Sequence, residues 1–185
     1  MKASLKIVGS VAVILMQGCS ITNTPGFHSG YKKLSSNEQK QIEFIPANNP
    51  IPVVDNGTIY AINAESLLNA IQSSDTTLVY IWGPQCHSRV CLPLTSVQAI
   101  CRKKGYNLFI VSEYYDMGQI PAQGQLKNPL LSINHEVYGT DYCPKYTKLF
   151  TSELRRGKRI SDDEQNRRYY LFHGRDFVKA LYLPI

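Results

Sequence analysis

Leu78-Val79-Tyr80-Ile81-Trp82-Gly83-Pro84-Gln85-Cys86-His87-Ser88-Arg89-Val90-Cys91 runs from an apolar segment into a turn that carries two cysteines. The unbroken apolar run 78–82 suits a strand buried on both faces. Gly83-Pro84 ends that strand, and two cysteines follow. Downstream, Leu94, Val97, Ile100 and Cys101 repeat at helical spacing, and Gly105 stands where a helix C-cap belongs. A cysteine held where strand turns into helix faces the free N–H groups and the positive end of that helix. Such a place favours thiolate over thiol, which would make Cys86 nucleophilic.

The N-terminus bears on where this chemistry would occur. Lys2 and Lys6 form a short positive region, and Ile7 to Met16 is an apolar run too short to span a bilayer. Gln17-Gly18-Cys19-Ser20 follows. A small residue directly before a cysteine at the end of such a segment resembles the lipobox of bacterial lipoproteins, with Met16 where Leu is usual. The resemblance implies diacylglyceryl attachment at Cys19, cleavage after Gly18 and acylation, palmitate included, of the new terminus. Several acyl chains hold a protein on a membrane far better than one. Ser20, rather than Asp, after Cys19 favours the outer membrane. The expected location is therefore the bacterial cell envelope, with the domain lipid-anchored outside the cytoplasm.

Residues 1–18 are accordingly read as a signal peptide, 19–52 as a lipidated tether and irregular segment, and 53–185 as one domain. Residues 20–52 are rich in Ser, Thr, Asn, Gln, Gly and Pro, with little periodicity. The densest basic cluster is Arg155, Arg156, Lys158, Arg159, Arg167 and Arg168, which reads as a solvated face or a contact for anionic lipid or cell-wall polymer. No nucleic-acid motif is present. Four cysteines remain beyond Cys19, and in an exported protein an even number invites pairing. The close pair Cys86/Cys91 is the first choice. Cys101 reads as a small buried hydrophobe, and a bridge from Cys101 to Cys143 stays open.

Along the domain, 58–62 is a short strand, and Asn63 can cap a helix carrying Leu67, Leu68 and Ile71. The strand 77–82, the cysteine turn, a helix to about 104 and a strand at 107–112 follow. Residues 116–135 are mixed, with helix expected around Tyr146 to Leu154. Tyr169 to Leu181, turning at His173-Gly174-Arg175-Asp176, is a terminal β-hairpin. This order predicts an α/β fold: a mixed central sheet flanked by helices, closed by the hairpin.

The same order, with the cysteine turn after the central strand, resembles the thioredoxin fold, and best the thioredoxin-like, redoxin-type lipoproteins of bacteria. In those proteins a Trp precedes the nucleophilic cysteine by four residues, as Trp82 precedes Cys86. A proline usually interrupts the next helix, and Pro93 lies near that place. The match departs from the family in two places. Arg89 occupies the second position of a Cys-x-x-Cys spacing, and Cys91 lies two residues further on. Arg167 or Arg168 stands where the family puts a cis-proline beside its cysteines.

The resemblance implies thiol–disulfide exchange with envelope protein thiols and disulfides. Cys86 would attack, Cys91 would resolve, and Trp82, Pro84 and His87 would form the rim of the site. No cofactor and no metal is assigned. One alternative is a thioredoxin-fold binding or scaffold module in which Cys86–Cys91 is only a staple. Another is copper handling, because cysteines at this turn with a distant His are similar to the Sco-type chaperones, with His135 and His173 as candidate third ligands.

Overall fold

β3 (Thr77–Trp82) has all six residues buried, as its apolar run requires, and is paired on both edges. The computed structural model describes residues 24–52, 57–120, 124–164 and 166–184. The signal segment and Cys19 lie outside the described residues. Around β3 stand β1 (Ile42–Phe44), β2 (Ile59–Ile62), β4 (Asn107–Ser112), β5 (Leu131–Ile133), β6 (Tyr169–His173) and β7 (Asp176–Leu181). They form a mixed sheet of order β1-β2-β5-β4-β3-β6-β7. The strands from β1 to β3 run parallel, and β6 and β7 are antiparallel to their neighbours.

The alternation of side chains along a strand divides the core into two layers. Val79 and Ile81 point to the face covered by α2 (Ala64–Ile71) and α4 (Cys143–Leu154), where Leu67, Leu68, Ile71, Tyr146, Phe150 and Leu154 are buried. Leu78, Tyr80 and Trp82 point to the other face, against Leu94, Val97 and Cys101 of α3 (Leu94–Lys104). Asn63 caps α2 by accepting the amide hydrogen of Ser66 at 2.8 Å. Gly105 closes α3 at φ 72°, the left-handed conformation its sequence position suggests. Among the described residues, no helix is long and apolar enough to cross a membrane.

Four expectations change. Residues 24–52, expected to be an irregular tether, carry a short capped helix, α1 (Ser36–Gln39), and supply the edge strand β1. Their path is fixed further back, where Tyr115 donates its backbone N–H to Ser29 at 2.7 Å. Gly30, at φ 80°, passes so close to the Tyr115 carbonyl that a Cβ would sit 2.7 Å from its oxygen. Secondly, β5 arises inside the segment 116–135 and lies between β2 and β4. Thirdly, α3 does not begin at the cysteine turn. Pro93 is its N-cap, and Cys91 and Leu92 precede the helix, because a residue before proline is disfavoured from helical geometry. Pro93 therefore starts the helix and does not interrupt it. α4 also begins three residues earlier than expected, with Pro144 tolerated in its first turn.

The two faces of α4 predict a contrast. Phe150→Ala, at a fully buried site, should lower unfolding free energy in urea by about 3–5 kcal/mol. Leu149→Ala, at a neighbour 39% exposed, should change it by about 0.5 kcal/mol or less. Similar losses for the two variants would mean that α4 packs on a different face.

Candidate functional site

Trp82 is the last residue of β3, and Gly83-Pro84 turns the chain over the carboxyl end of the parallel strands. That end is where open α/β sheets place their ligands. Cys86 and Cys91 are joined by a disulfide with Cα atoms 5.8 Å apart, well within the reach of such a bond. The widened spacing is therefore no obstacle. Two tight turns accommodate it: Cys86 N–H donates to the Gly83 carbonyl and Cys91 N–H to the Ser88 carbonyl, each at 2.9 Å. Both cysteines are half-buried, while His87, Ser88 and Arg89 between them are exposed. Ser88 Oγ lies 3.4 Å from each sulfur.

The turn is tied to the sheet on both sides. Gln85 N–H donates to the Tyr114 hydroxyl at 3.0 Å, and Gln85 Nε2 to Asp116 Oδ2 at 2.7 Å. At the other end the Tyr169 hydroxyl donates to the Val90 carbonyl at 2.7 Å, its ring stacked on Tyr80. Beneath the turn, Arg168 Nη1 bonds Glu113 Oε2 at 2.8 Å and the Ile81 carbonyl at 3.2 Å. Gly83 makes room for this pair, since a Cβ there would stand 2.9 Å from the Glu113 carboxylate and 3.5 Å from Cys86 Cβ. Trp82 and Pro84 are buried, so they floor the turn, and His87 is exposed upon it.

The late start of α3 removes one argument for a reactive Cys86. The free N–H groups of that helix belong to residues after Pro93 and not to the cysteine turn. A thiolate in the turn has instead the Ser88 hydroxyl, within reach of either sulfur, as a hydrogen-bond donor. Glu113 and Tyr114 were not legible as site residues, because only strand pairing brings 113 beside 168 and 83. Of Arg167 and Arg168, it is Arg168 that reaches the base of the turn. No cis peptide occurs among the described residues.

The other cysteines are free and buried on opposite faces of the sheet, Cys101 under α3 and Cys143 at the start of α4. The bridge left open between them is not formed, since the sheet lies in between. Burial pushes each thiol up to about 11. His173 sits at the hairpin, bonded through Nδ1 to the Asp75 carbonyl, at the opposite end of β3 from the cysteines. His135 follows β5, packed among the rings of Tyr31, Phe44, Tyr115 and Tyr146. Its burial favours the neutral imidazole and lowers its pKa, against the pull of Asp141. Among the described residues no three His, Cys, Asp or Glu side chains converge as a metal site.

Thiol reactivity should separate the two pairs. In the folded, reduced chain at pH 7, about one Cys101 or Cys143 thiol in ten thousand is ionised, given values near 11. Alkylation of these two should be slow and rise about tenfold per pH unit up to about 11. Cys86 and Cys91 should react at least tenfold faster at neutral pH. Equal rates at all four would contradict this placement.

No protein-family model, no curated protein and no solved structure matches this chain, so the chemistry of the site rests on its own geometry.

Proposed function

We propose that this chain is a thioredoxin-like thiol–disulfide exchange protein of the bacterial cell envelope, held on the membrane through lipid at Cys19. The observation that carries the exchange reading is a half-exposed disulfide at the carboxyl end of a parallel sheet, with the Ser88 hydroxyl beside both sulfurs. The fold reading is supported by the cysteine turn after the central strand and by the closing antiparallel hairpin. The anchor reading is supported by the order Lys2, Lys6, apolar run, Gly18-Cys19.

In the reducing direction the Cys86 thiolate attacks one sulfur of a substrate disulfide. The Cys86–substrate bond forms, the substrate S–S bond breaks, and the second substrate sulfur leaves as thiolate. The Cys91 thiolate then attacks Cys86 Sγ, closing Cys86–Cys91 and releasing the first substrate sulfur. Two electrons pass to the substrate, and a dithiol protein must return the pair to its reduced form. Ser88 can donate a hydrogen bond to whichever sulfur carries the charge. Run backwards, the same steps oxidise a substrate dithiol.

A second reading has its own observation. The turn is tied down by Tyr114, Asp116 and Tyr169, as suits a structural staple on a binding module. A loop this short contributes only about 2 kcal/mol through chain entropy, less than a bridge closing a long loop.

Cys91→Ser separates the two. With the resolving thiol gone, exchange chemistry should accumulate a mixed disulfide between Cys86 and an envelope protein, visible by non-reducing electrophoresis and lost in Cys86→Ser/Cys91→Ser. A chain that forms no adduct while the native pair stays oxidised in mild reductant is a staple. The anchor is checked separately: Cys19→Ala should leave the chain unprocessed or free it from the membrane fraction, and wild-type processing and fractionation would refute it.

A further inference from the structure

We propose that the cleft between α4 and the chain leading into β6 binds a phosphate-bearing small molecule. The cleft has a volume of about 810 Å³ and is lined by Lys148, Arg155, Lys158, Arg159, Arg167 and Arg168. Five of the six basic residues that the sequence groups together thus line a concavity, joined by Lys148 from α4. Among the described residues lining it, the only carboxylate is Glu113, already committed to Arg168 at 2.8 Å. Outside the lining, Glu164 approaches Arg167 no closer than 3.9 Å.

The remaining cations that bond within the protein do so chiefly to carbonyls. Arg155 donates to the carbonyls of Thr151 and Lys158, each at 2.9 Å, and Arg167 to that of Ala180 at 3.0 Å. Lys158 Nζ donates to the Phe177 carbonyl at 3.3 Å. Carbonyls fix these heads in place without neutralising them, and of the three only Arg167 has a carboxylate nearby, that of Glu164 at 3.9 Å. The side chains of Lys148 and Arg159 are exposed and make no hydrogen bond or ion pair with the described residues. Like charges gathered in a concavity repel one another, and the field they focus falls when an anion enters.

Shape and chemistry select the anion. Ile81 of β3 and Tyr170 of β6 line the cleft, so it reaches down to the sheet. A flat bilayer would touch only its rim. The volume is that of a small-molecule site. Guanidinium forks bond phosphate oxygens in pairs, and Thr147, Ser152 and Asn166 add neutral donors to the wall. A group with two charges and several oxygens uses this set more fully than a single carboxylate.

The test titrates the full-length chain in detergent with inorganic pyrophosphate by calorimetry at fixed ionic strength. Sulfate and polyglutamate, at equal charge, serve as comparisons. Pyrophosphate should bind one site saturably, at least tenfold tighter than sulfate, and weaken with added salt. Lys148→Gln/Arg159→Gln should lose at least tenfold in affinity with its ligand-free unfolding midpoint unchanged. Absence of saturable binding would overturn the proposal, as would equal binding of sulfate or full affinity in the double variant. Tight binding of polyglutamate with none of pyrophosphate would also overturn it, in favour of an acidic peptide. Neither substituted residue touches the cysteine turn, so this result stands apart from the redox reading.

Discussion

A strand buried on both faces must satisfy its backbone polar groups along its two edges, because water reaches none of them. β3 meets that demand asymmetrically. On one side β4 pairs with it along its whole length, from Thr77 with Asn107 to Trp82 with Ser112. On the other side β6 pairs only from Thr77 to Tyr80. Arg168 completes the edge: its carbonyl accepts the Ile81 N–H at 2.8 Å, and its guanidinium donates to the Ile81 carbonyl. Beyond β4, Glu113 N–H bonds the Trp82 carbonyl at 2.8 Å. The needs of one buried strand thus bring Glu113 and Arg168 together from opposite sides.

That ion pair joins the cysteine turn to the basic cleft. Its upper side supports Gly83 and, through it, the Cys86 end of the turn. Its other side forms the inner wall of the basic cleft. The pair is mostly shielded from water, with Glu113 17% and Arg168 25% exposed. Loss of the arginine alone would leave a carboxylate without its counter-charge, which is more damaging than replacing both by neutral groups. The arginine thus supports the cysteine turn from below by charge and hydrogen bonding.

The parts of the fold legible in the sequence are those with a redundant signal. Leu78–Trp82 and Leu108–Val111 are apolar on both faces, and Gly174-Arg175 turns between two runs rich in aromatic and β-branched residues. β1 and β5 escape notice because each is only three residues long and carries a polar residue at its centre, Glu43 or Ser132. The start of α3 was within reach of sequence reasoning, since Pro93 marks it, but helical spacing from Leu94 onward pulls the eye toward the cysteines. The cysteine pair itself is legible from spacing. Its supports are not: Glu113 and Arg168 are 55 residues apart, and nothing local in either shows that both must finish the edges of β3.

Whether the turn is a reagent or a staple depends on how tightly it holds its disulfide. The measurement that decides this most directly is the reduction potential of Cys86–Cys91 in the full-length chain, from mass spectrometry of samples equilibrated in defined dithiol buffers. Exchange chemistry predicts a potential above about −270 mV, in the range of proteins that pass electrons to and from thiols. A value below about −300 mV, where structural bridges of exported proteins lie, would contradict it.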